Sequence, residues 1–168
     1  MIFTAWSDGR FDLAGRQTHC ALGRSGVIEA TDKREGDGAS PLGVWPIRRL
    51  LFRPDRGAAP VTALPTLAIA PDDGWCDAPE DPAYNQPVKR PYPASSEALW
   101  RDDGVYDLIA ILAHNDDPPI PGLGSAIFLH LARDGYAPTE GCVALNRADL
   151  EDLLRLVQPG SAIAIRRT

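Results

Sequence analysis

The segment NRADLEDLLRLVQPGSAIAIR, residues 146–166, decides the fold class of this chain. Asn146 is of a type that caps helix N-termini, and Asp149 follows at the third helical position, where an acid favours the positive end of the helix dipole. Apolar residues then recur at the spacing of one helix face, at Leu150, Leu153, Leu154 and Val157. Pro159 and Gly160 end the helix, and SAIAIR after them is typical of a strand. We therefore predict an amphipathic helix packed against a mostly antiparallel sheet.

Short apolar segments separated by turn residues fill most of the chain before this helix. Fifteen glycines and sixteen prolines interrupt them, and both residue types break helices and favour turns and strand edges. The segments are MIFTAW, THCALG, GVIEA, GVWPIRRLLF, TLAIA, VYDLIAILAHN and SAIFLHL. Their pattern predicts a mainly β fold, with one α-helix near the C-terminus and short helical turns elsewhere.

The stretch PDDGWCDAPEDPAYNQPVKRPYP, residues 71–93, has no hydrophobic periodicity and many prolines. This composition predicts a long loop, and long ordered loops in compact domains are often functional. We expect it to form the rim of a binding site, with surface padding as the alternative. The segment SSEALWRDD, residues 95–103, is predicted to be a short helix that begins at Ser95 or Ser96.

Length and composition narrow the class of protein. With 168 residues, 44% of them hydrophobic, the chain is long enough for one domain with a real core and too short for two comfortable ones. We expect a single domain over residues 1–168 and a monomer. The formal charge of −6 and the pI of about 5.0 disfavour binding to a nucleic-acid backbone.

The N-terminal stretch MIFTAWSDGRFDLAG lacks the basic region, the continuous apolar run and the cleavage site of a secretory signal. No apolar run approaches the ~20 residues that a membrane-spanning helix needs, so we expect no transmembrane segment. Three alternatives stay open: residence in the cytoplasm, export by an unusual route, and a leader that precedes this sequence.

The three cysteines, Cys20, Cys76 and Cys142, are an odd number without C-x-x-C spacing, which argues against a zinc ribbon and a full disulfide framework. One disulfide and one free thiol are compatible with the sequence, and we take Cys20 and Cys76 to be structural. His114 lies beside Asn115 and two aspartates in AHNDDPPIPG, but no second cluster with ligand spacing accompanies it. We therefore predict no metal and no cofactor.

Cys142 and His130 form a candidate nucleophile and base. His130 lies near the end of SAIFLHL, and Gly135 and Pro138 can turn the chain back between the two residues. The imidazole then takes the thiol proton, or the two groups rest as thiolate and imidazolium. From the residues alone, two alternatives stay open: a packing thiol, and a core histidine that donates to a carbonyl.

The neighbours of Cys142 favour chemistry. Gly141 removes a side chain just before the thiol, so a substrate carbonyl can approach the backbone and nearby N–H groups can face a developing oxyanion. Thr139 adds a hydroxyl close by. The backbone carbonyl of Leu131 is a candidate acceptor that holds the His130 ring in one tautomer.

His130, the T-x-G-C element of Thr139, Gly141 and Cys142, and VALNRADLEDLL after it resemble the catalytic core of the L,D-transpeptidase (YkuD) domain. A second element, KREGDGASPLGVWPI at residues 33–47, resembles the family's G-D-G-x-T/S-P-x-G-x-F/W stretch. WCDAPEDPAYN and GLGSAIFLH are similar as well. The resemblance covers most of the chain and implies a stand-alone catalytic domain with a β-sandwich or barrel fold.

The resemblance implies a cysteine acyltransferase that cross-links peptidoglycan in the periplasm or cell envelope, and thus a part in cell-wall biogenesis and cell shape. Cys142 is then the nucleophile that forms a thioester with a stem-peptide carbonyl, at diaminopimelate in position three or at L-alanine in position one. His130 is the general base and acid, with backbone N–H groups near Gly141 as oxyanion donors. An amine of another stem peptide accepts the thioester.

Two alternatives to cross-linking follow from the same residues. Transfer of the thioester to water makes the protein a hydrolase, that is, a carboxypeptidase or an amidase. A wall-binding module in which Cys142 only packs is the non-enzymatic alternative.

Two positions depart from the family pattern. Many members have His where this chain has Glu140, and Arg or Asn where it has Ala144, so other residues must recognise the carboxylates of the stem peptide. Arg133, Arg147 and Lys89 are candidates. Trp75 and Tyr84 either contact substrate or pin the predicted loop to the core. The full set of substrate-binding candidates is Trp75, Asp77, Tyr84, Asn85, His114, Asn115, Arg133 and Glu140.

Overall fold

The computed structural model describes residues 1–168, of which 36% lie in strands and 8% in helices. The strands and the helix are β1 (Ile2–Trp6), β2 (Arg10–Leu13), β3 (Arg16–His19), β4 (Val27–Ile28), β5 (Ser40–Pro41), β6 (Gly43–Phe52), β7 (Thr66–Ala68), β8 (Asp73–Cys76), β9 (Pro87–Lys89), β10 (Ser96–Ala98), β11 (Leu108–Leu112), β12 (Phe128–Leu131), β13 (Val143–Leu145), α1 (Arg147–Leu156) and β14 (Ala162–Arg166). A short 3₁₀ turn covers Asp134–Tyr136. The predicted mainly β fold with short helical turns is confirmed.

Nine strands form one nearly closed, barrel-like sheet in the order β13, β12, β11, β6, β14, β1, β2, β3, with β7 beside β6. Most pairs are antiparallel, but β1 with β14, β12 with β13 and β6 with β7 are parallel. The ten-residue strand β6 joins the group β11, β12 and β13 to the group β14, β1, β2 and β3. Its first residues pair with β14 and its last with β11. The partner changes at Pro46 and Ile47, where proline offers no N–H to a ladder.

The predicted C-terminal helix forms as α1. The Asn146 side chain caps it by accepting the Asp149 N–H at 2.9 Å. The Asp149 carboxylate is buried against the sheet, where it accepts hydrogen bonds from Thr18 at 2.5 Å and Arg16 at 2.8 Å. The predicted apolar stripe is fully buried in the main core of 23 residues, at Leu150, Leu153, Leu154 and Val157. Strand β14 follows, so the helix and strand predictions for this segment are confirmed.

Two local predictions were wrong. Residues 71–93 are not a structureless loop, because they contribute β8 and β9 to a three-stranded antiparallel sheet of order β10, β8, β9. The segment after them is not a short helix, because Ser96–Ala98 is strand β10 and pairs with β8. Strands of three or four residues are too short to show alternation, and Pro87 begins an edge strand, where a missing N–H costs little.

The small sheet packs against the face of β6, β11 and β12 that points away from the main core, and a second core of ten buried residues lies between them. Trp75 of β8 and Phe128 of β12 meet edge to face there, with ring centroids 5.1 Å apart. Cys142 belongs to the same cluster. The second core therefore places the thiol at the junction of the two sheets.

All three cysteines of the chain are free. No helix of the chain has both the length and the apolar character that a membrane crossing requires.

Candidate active site

A cavity of about 420 Å³ lies between the small sheet, β12 and the segment before β13. Six of the residues singled out from the sequence line it, namely Asp77, His130, Arg133, Thr139, Glu140 and Cys142. The other lining residues are Lys33, Glu35, Gly36, Glu97, Arg101, Val105, Tyr106, Ser125 and Ala126. The fold thus brings the thiol, the imidazole and charged groups of both signs to one concave surface.

Cys142 lies one residue before β13 and is 7% exposed. Its Sγ donates to the Ala126 carbonyl at 3.2 Å and accepts from the Phe128 N–H at 3.3 Å. Burial raises the pKa of the Cys142 thiol to about 12, and the Glu97 carboxylate adds to the rise. At neutral pH the group is therefore a thiol rather than a thiolate.

His130 is a residue of β12, and its ring is buried against Tyr106, with centroids 5.3 Å apart. Its Nδ1 lies 2.9 Å from the Leu131 carbonyl oxygen. Because a carbonyl only accepts, Nδ1 carries the proton and Nε2 is the nitrogen left to accept another. Burial, with smaller contributions from the positive charges of Arg133 and Arg101, lowers the pKa of His130 to about 4. The imidazole is therefore neutral at neutral pH.

Cys142 and His130 share the cavity, but no hydrogen bond joins them. The thiol proton instead faces the Ala126 carbonyl. A neutral thiol beside a neutral imidazole with a free Nε2 is a combination that can become nucleophile and general base when a ligand brings the two together. The thiolate and imidazolium pair that the sequence also allowed is disfavoured by the burial of both groups.

Thr139 and Gly141 shape the backbone around the thiol. The Thr139 hydroxyl donates to the Cys142 carbonyl at 2.8 Å and accepts the Gly141 N–H at 3.1 Å. Gly141 has φ +134°, and a Cβ there would stand 2.9 Å from the Ala39 carbonyl oxygen, so glycine is required. The Gly141 N–H is thus occupied, whereas the Cys142 N–H forms no hydrogen bond within the protein. One backbone donor is available to an oxyanion here.

The second motif, residues 33–47, forms part of the cavity wall. Lys33 is buried, and its Nζ donates to the Asp37 carboxylate at 2.5 Å. Asp37 also accepts the Ala39 N–H at 2.9 Å, which fixes the turn. The Ser40 hydroxyl then donates to the Cys142 carbonyl at 3.3 Å. The two motifs are therefore joined through the backbone that carries the thiol.

Three polar residues of the cavity wall were not singled out from the sequence. The Tyr106 hydroxyl donates to Glu97 at 2.5 Å, and burial raises the pKa of the Glu97 carboxyl. The Arg101 guanidinium lies 5.2 Å from the centre of the Tyr106 ring and forms an ion pair with Asp103 at 2.5 Å. No motif marks these residues, and two of them fall in the segment that was predicted to be a short helix.

Three of the predicted substrate-binding residues face the cavity. Asp77 has a buried Oδ1 without a hydrogen-bond partner. Arg133 lies 3.6 Å from Asp103, with about half of its side chain exposed. Glu140 is exposed and pairs with Arg24 at 2.9 Å.

The other candidates lie outside the cavity wall. Lys89 pairs with Asp72 and Asp73, and Arg147 pairs with Asp107. Ala144 is buried where its backbone pairs with that of Ala21. The residues that pack or hydrogen-bond behind the wall are Trp75, Tyr84, Asn85, His114 and Asn115. In the whole chain, no group of three or more His, Cys, Asp or Glu side chains is arranged to hold a metal ion.

The chain matches the family model of the L,D-transpeptidase catalytic domain, YkuD, over residues 2–165. Among solved structures it is similar to the helical cell shape determining protein Pgp2 from Campylobacter jejuni, with a TM-score of 0.50 and 15% sequence identity. The match covers 99% of this chain and 47% of that protein, so the chain spans about half the length of its structural relative. At this identity the similarity shows a shared fold. No curated protein matches the sequence.

Proposed function

Because the chain belongs to the L,D-transpeptidase catalytic domain (YkuD) family, we propose that it is a peptidoglycan L,D-transpeptidase with Cys142 as nucleophile and His130 as general base. One observation carries the proposal. Cys142 and His130 line one cavity, and the Leu131 carbonyl binds Nδ1 of the imidazole so that Nε2 is free to accept a proton. This activity places the site of action in the cell envelope, where peptidoglycan is found.

The first step is the attack of Cys142 on a stem-peptide carbonyl at an L-centre. Sγ forms a bond to the carbonyl carbon while the S–H bond breaks and the thiol proton, which faces the Ala126 carbonyl in the free protein, moves to Nε2 of His130. Burial favours the neutral form of both groups, so the ion pair of thiolate and imidazolium is disfavoured before substrate binds. Proton transfer therefore accompanies attack on a bound substrate and does not precede it.

The tetrahedral intermediate places a negative charge on the former carbonyl oxygen. The Cys142 N–H is the free donor for that oxygen, and Thr139 fixes the backbone that presents it. Collapse of the intermediate breaks the bond to the D-amino acid, whose amine takes the proton from Nε2. A thioester on Cys142 and a neutral His130 remain.

The second step transfers the acyl group to an amine of another stem peptide. The neutral amine attacks the thioester carbonyl, and His130 takes a proton from its nitrogen. The bond between Sγ and the acyl carbon then breaks, an amide forms, and His130 returns the proton to Sγ. The cavity wall carries carboxylates at Asp77 and Glu97 and guanidinium groups at Arg101 and Arg133. Such a wall suits a residue with both an ammonium and a carboxylate, which favours diaminopimelate over L-alanine as the donor centre.

The proposal is tested by incubation of the protein with purified disaccharide tetrapeptide and identification of the products by mass fragmentation. The expected product is a dimer joined through the third residue, with release of the D-amino acid. Cys142→Ala is expected to form none, and Cys20→Ala, which removes a buried thiol of the main core, is the matched control. Cross-linking by folded Cys142→Ala would refute the nucleophile, and a trimmed monomer as the main product would make the protein a hydrolase.

A further inference from the structure

Asn85 is buried behind the cavity wall and is linked to the candidate nucleophile through two hydrogen bonds in series. Its Oδ1 accepts the Ala126 N–H at 3.0 Å and the Trp75 indole N–H at 2.9 Å. Its Nδ2 donates to the carbonyls of His114 at 3.2 Å and Asn115 at 2.6 Å. The amide thus uses both acceptor and both donor positions, so it cannot rotate without the loss of several hydrogen bonds.

Ala126 is the next link. It has φ +54°, a left-handed conformation that a residue with a Cβ adopts only when its surroundings hold it there. The carbonyl of Ala126 accepts a hydrogen bond from the Cys142 thiol. The N–H of Phe128 donates a hydrogen bond to the same sulfur. The backbone of residues 126–128 therefore sets the position and orientation of Sγ.

This backbone lies outside the regular strands and is held by side-chain hydrogen bonds. Residues 113–127 lie between β11 and β12 and contribute to no strand, and Gly122 and Gly124 in it have positive φ. Tyr84, the residue before Asn85, reinforces the second of these glycines: its hydroxyl accepts the Gly124 N–H at 3.0 Å and donates to Glu35 at 2.5 Å. Two consecutive residues thus bind alternate N–H groups of the segment that faces the thiol.

We propose that Asn85 is a positioning residue for the reaction: it holds Ala126 in the left-handed conformation so that the Ala126 carbonyl orients the Cys142 thiol. This role rests on the proposed function, because orientation of the thiol matters to catalysis only if Cys142 is the nucleophile. Asn85 itself does not line the cavity that holds Cys142 and His130, so the proposed role acts through the Ala126 backbone. In this proposal the segment between β8 and β9, which carries Asn85, positions the Cys142 thiol as well as standing beside the cavity.

The first test uses Asn85→Gly. Asn85 has φ +57°, which glycine adopts without strain, so this variant removes the side chain alone. We expect kcat for stem-peptide cross-linking to fall about tenfold or more, with KM within about twofold, since substrate contacts are unchanged. Asn146→Gly, which removes an asparagine that caps α1, is the matched control and should show no such split between kcat and KM.

A second measurement does not depend on peptidoglycan. Without the Ala126 carbonyl as acceptor the neutral thiol is less stabilised, so alkylation of Cys142 by iodoacetamide at pH 9 should rise by about threefold or more in Asn85→Gly. Peptide mass mapping gives the rate for each cysteine. The buried thiols of Cys20 and Cys76 should stay protected, because they do not line the cavity through which the reagent reaches Cys142.

Rescue separates positioning from a loss of folding. Glycine occupies left-handed φ readily, so Asn85→Gly combined with Ala126→Gly should recover kcat by about fivefold over Asn85→Gly alone. If Asn85→Gly does not fold, Asn85→Asp keeps an acceptor for the Ala126 N–H, and the proposal expects it to bring Cys142 alkylation closer to the wild-type rate than Asn85→Ala does.

Several outcomes would overturn the proposal. These are a folded Asn85→Gly with unchanged kcat and unchanged Cys142 alkylation, a change in KM alone, and the absence of rescue by Ala126→Gly. Failure of the proposed function looks different. In that case wild-type protein cross-links no stem peptide, while the alkylation rates still show whether Asn85 governs the thiol.

Discussion

The buried thiol of Cys142 should be slow to react in the free protein. Alkylation requires the thiolate. With a pKa of about 12, in place of the ordinary 9.0, Cys142 has about 10³-fold less thiolate at pH 7. A thiolate of higher pKa is also more nucleophilic, with a Brønsted slope of about 0.4–0.5. Each Cys142 thiolate should therefore react roughly 20-fold faster, which partly offsets the smaller thiolate fraction. The net expectation is a rate about 50-fold below that of an unhindered cysteine.

The assay measures the second-order rate of iodoacetamide alkylation of Cys142 from pH 6 to about pH 10, with a short cysteine peptide as reference. The logarithm of the rate should rise linearly with pH without a plateau. His130→Gln should leave the rate unchanged, because a neutral imidazole does not ionise the resting thiol.

One result would refute this reasoning. A plateau below about pH 8 that disappears in His130→Gln would mean that thiolate and imidazolium coexist in the free protein. Burial would then be the weaker influence on both groups.

Four further predictions concern the charge, backbone and stability of the site. Glu97→Gln removes a negative charge that raises the pKa of Cys142, so alkylation at pH 9 should accelerate by about threefold or more; an unchanged rate would contradict the influence of Glu97. Gly141→Ala places a Cβ 2.9 Å from the Ala39 carbonyl, and urea unfolding should show a loss of about 1–3 kcal/mol; equal stability would mean that the backbone relaxes. Burial lowers the pKa of His130 from 6.5 to about 4, so as the pH falls the unfolded chain binds a proton before the folded protein does. The free energy of unfolding should therefore fall by about 3 kcal/mol between pH 6.5 and pH 4. His130→Gln should flatten this slope in thermal melts, and an unaltered slope would assign it to other groups. Asn146→Ala removes the cap of α1 and should cost about 1 kcal/mol, read as a Tm lower by about 2–5 °C; an unchanged Tm would show that the cap is redundant.

The C-terminal helix and strand, residues 146–166, were predictable because their local signals agree with one another. Asn146 caps, Pro159 and Gly160 stop the helix, and the apolar stripe between them has the helical period. The small three-stranded sheet was not predictable. Its strands have three or four residues, and β8 finds its partner β10 about twenty residues away, so pairing depends on the buried packing of Trp75 rather than on local pattern.

The candidate site was accessible from the sequence only in part. The sequence motifs identified Cys142 and His130 as candidate catalytic residues, and both line one cavity in the structure. Their catalytic roles stay predictions. Tyr84 and Asn85 were expected near substrate, but their side chains turn toward the backbone of residues 124–126, a direction that sequence does not encode. Glu97 entered the site only because β10 pairs with β8.

The parallel pairing of β1 with β14 has a consequence for synthesis on the ribosome. Ile2 pairs with Ala162, so β1 waits for a partner made 160 residues later, roughly 8–32 s at about 5–20 residues per second. Until then Phe3, which is fully buried in the folded protein, has no cover from β14. Strand β14 is inserted between β1 and β6, in the middle of the sheet. Closure of the sheet between β1 and β14 is therefore a non-local event, which predicts slow folding.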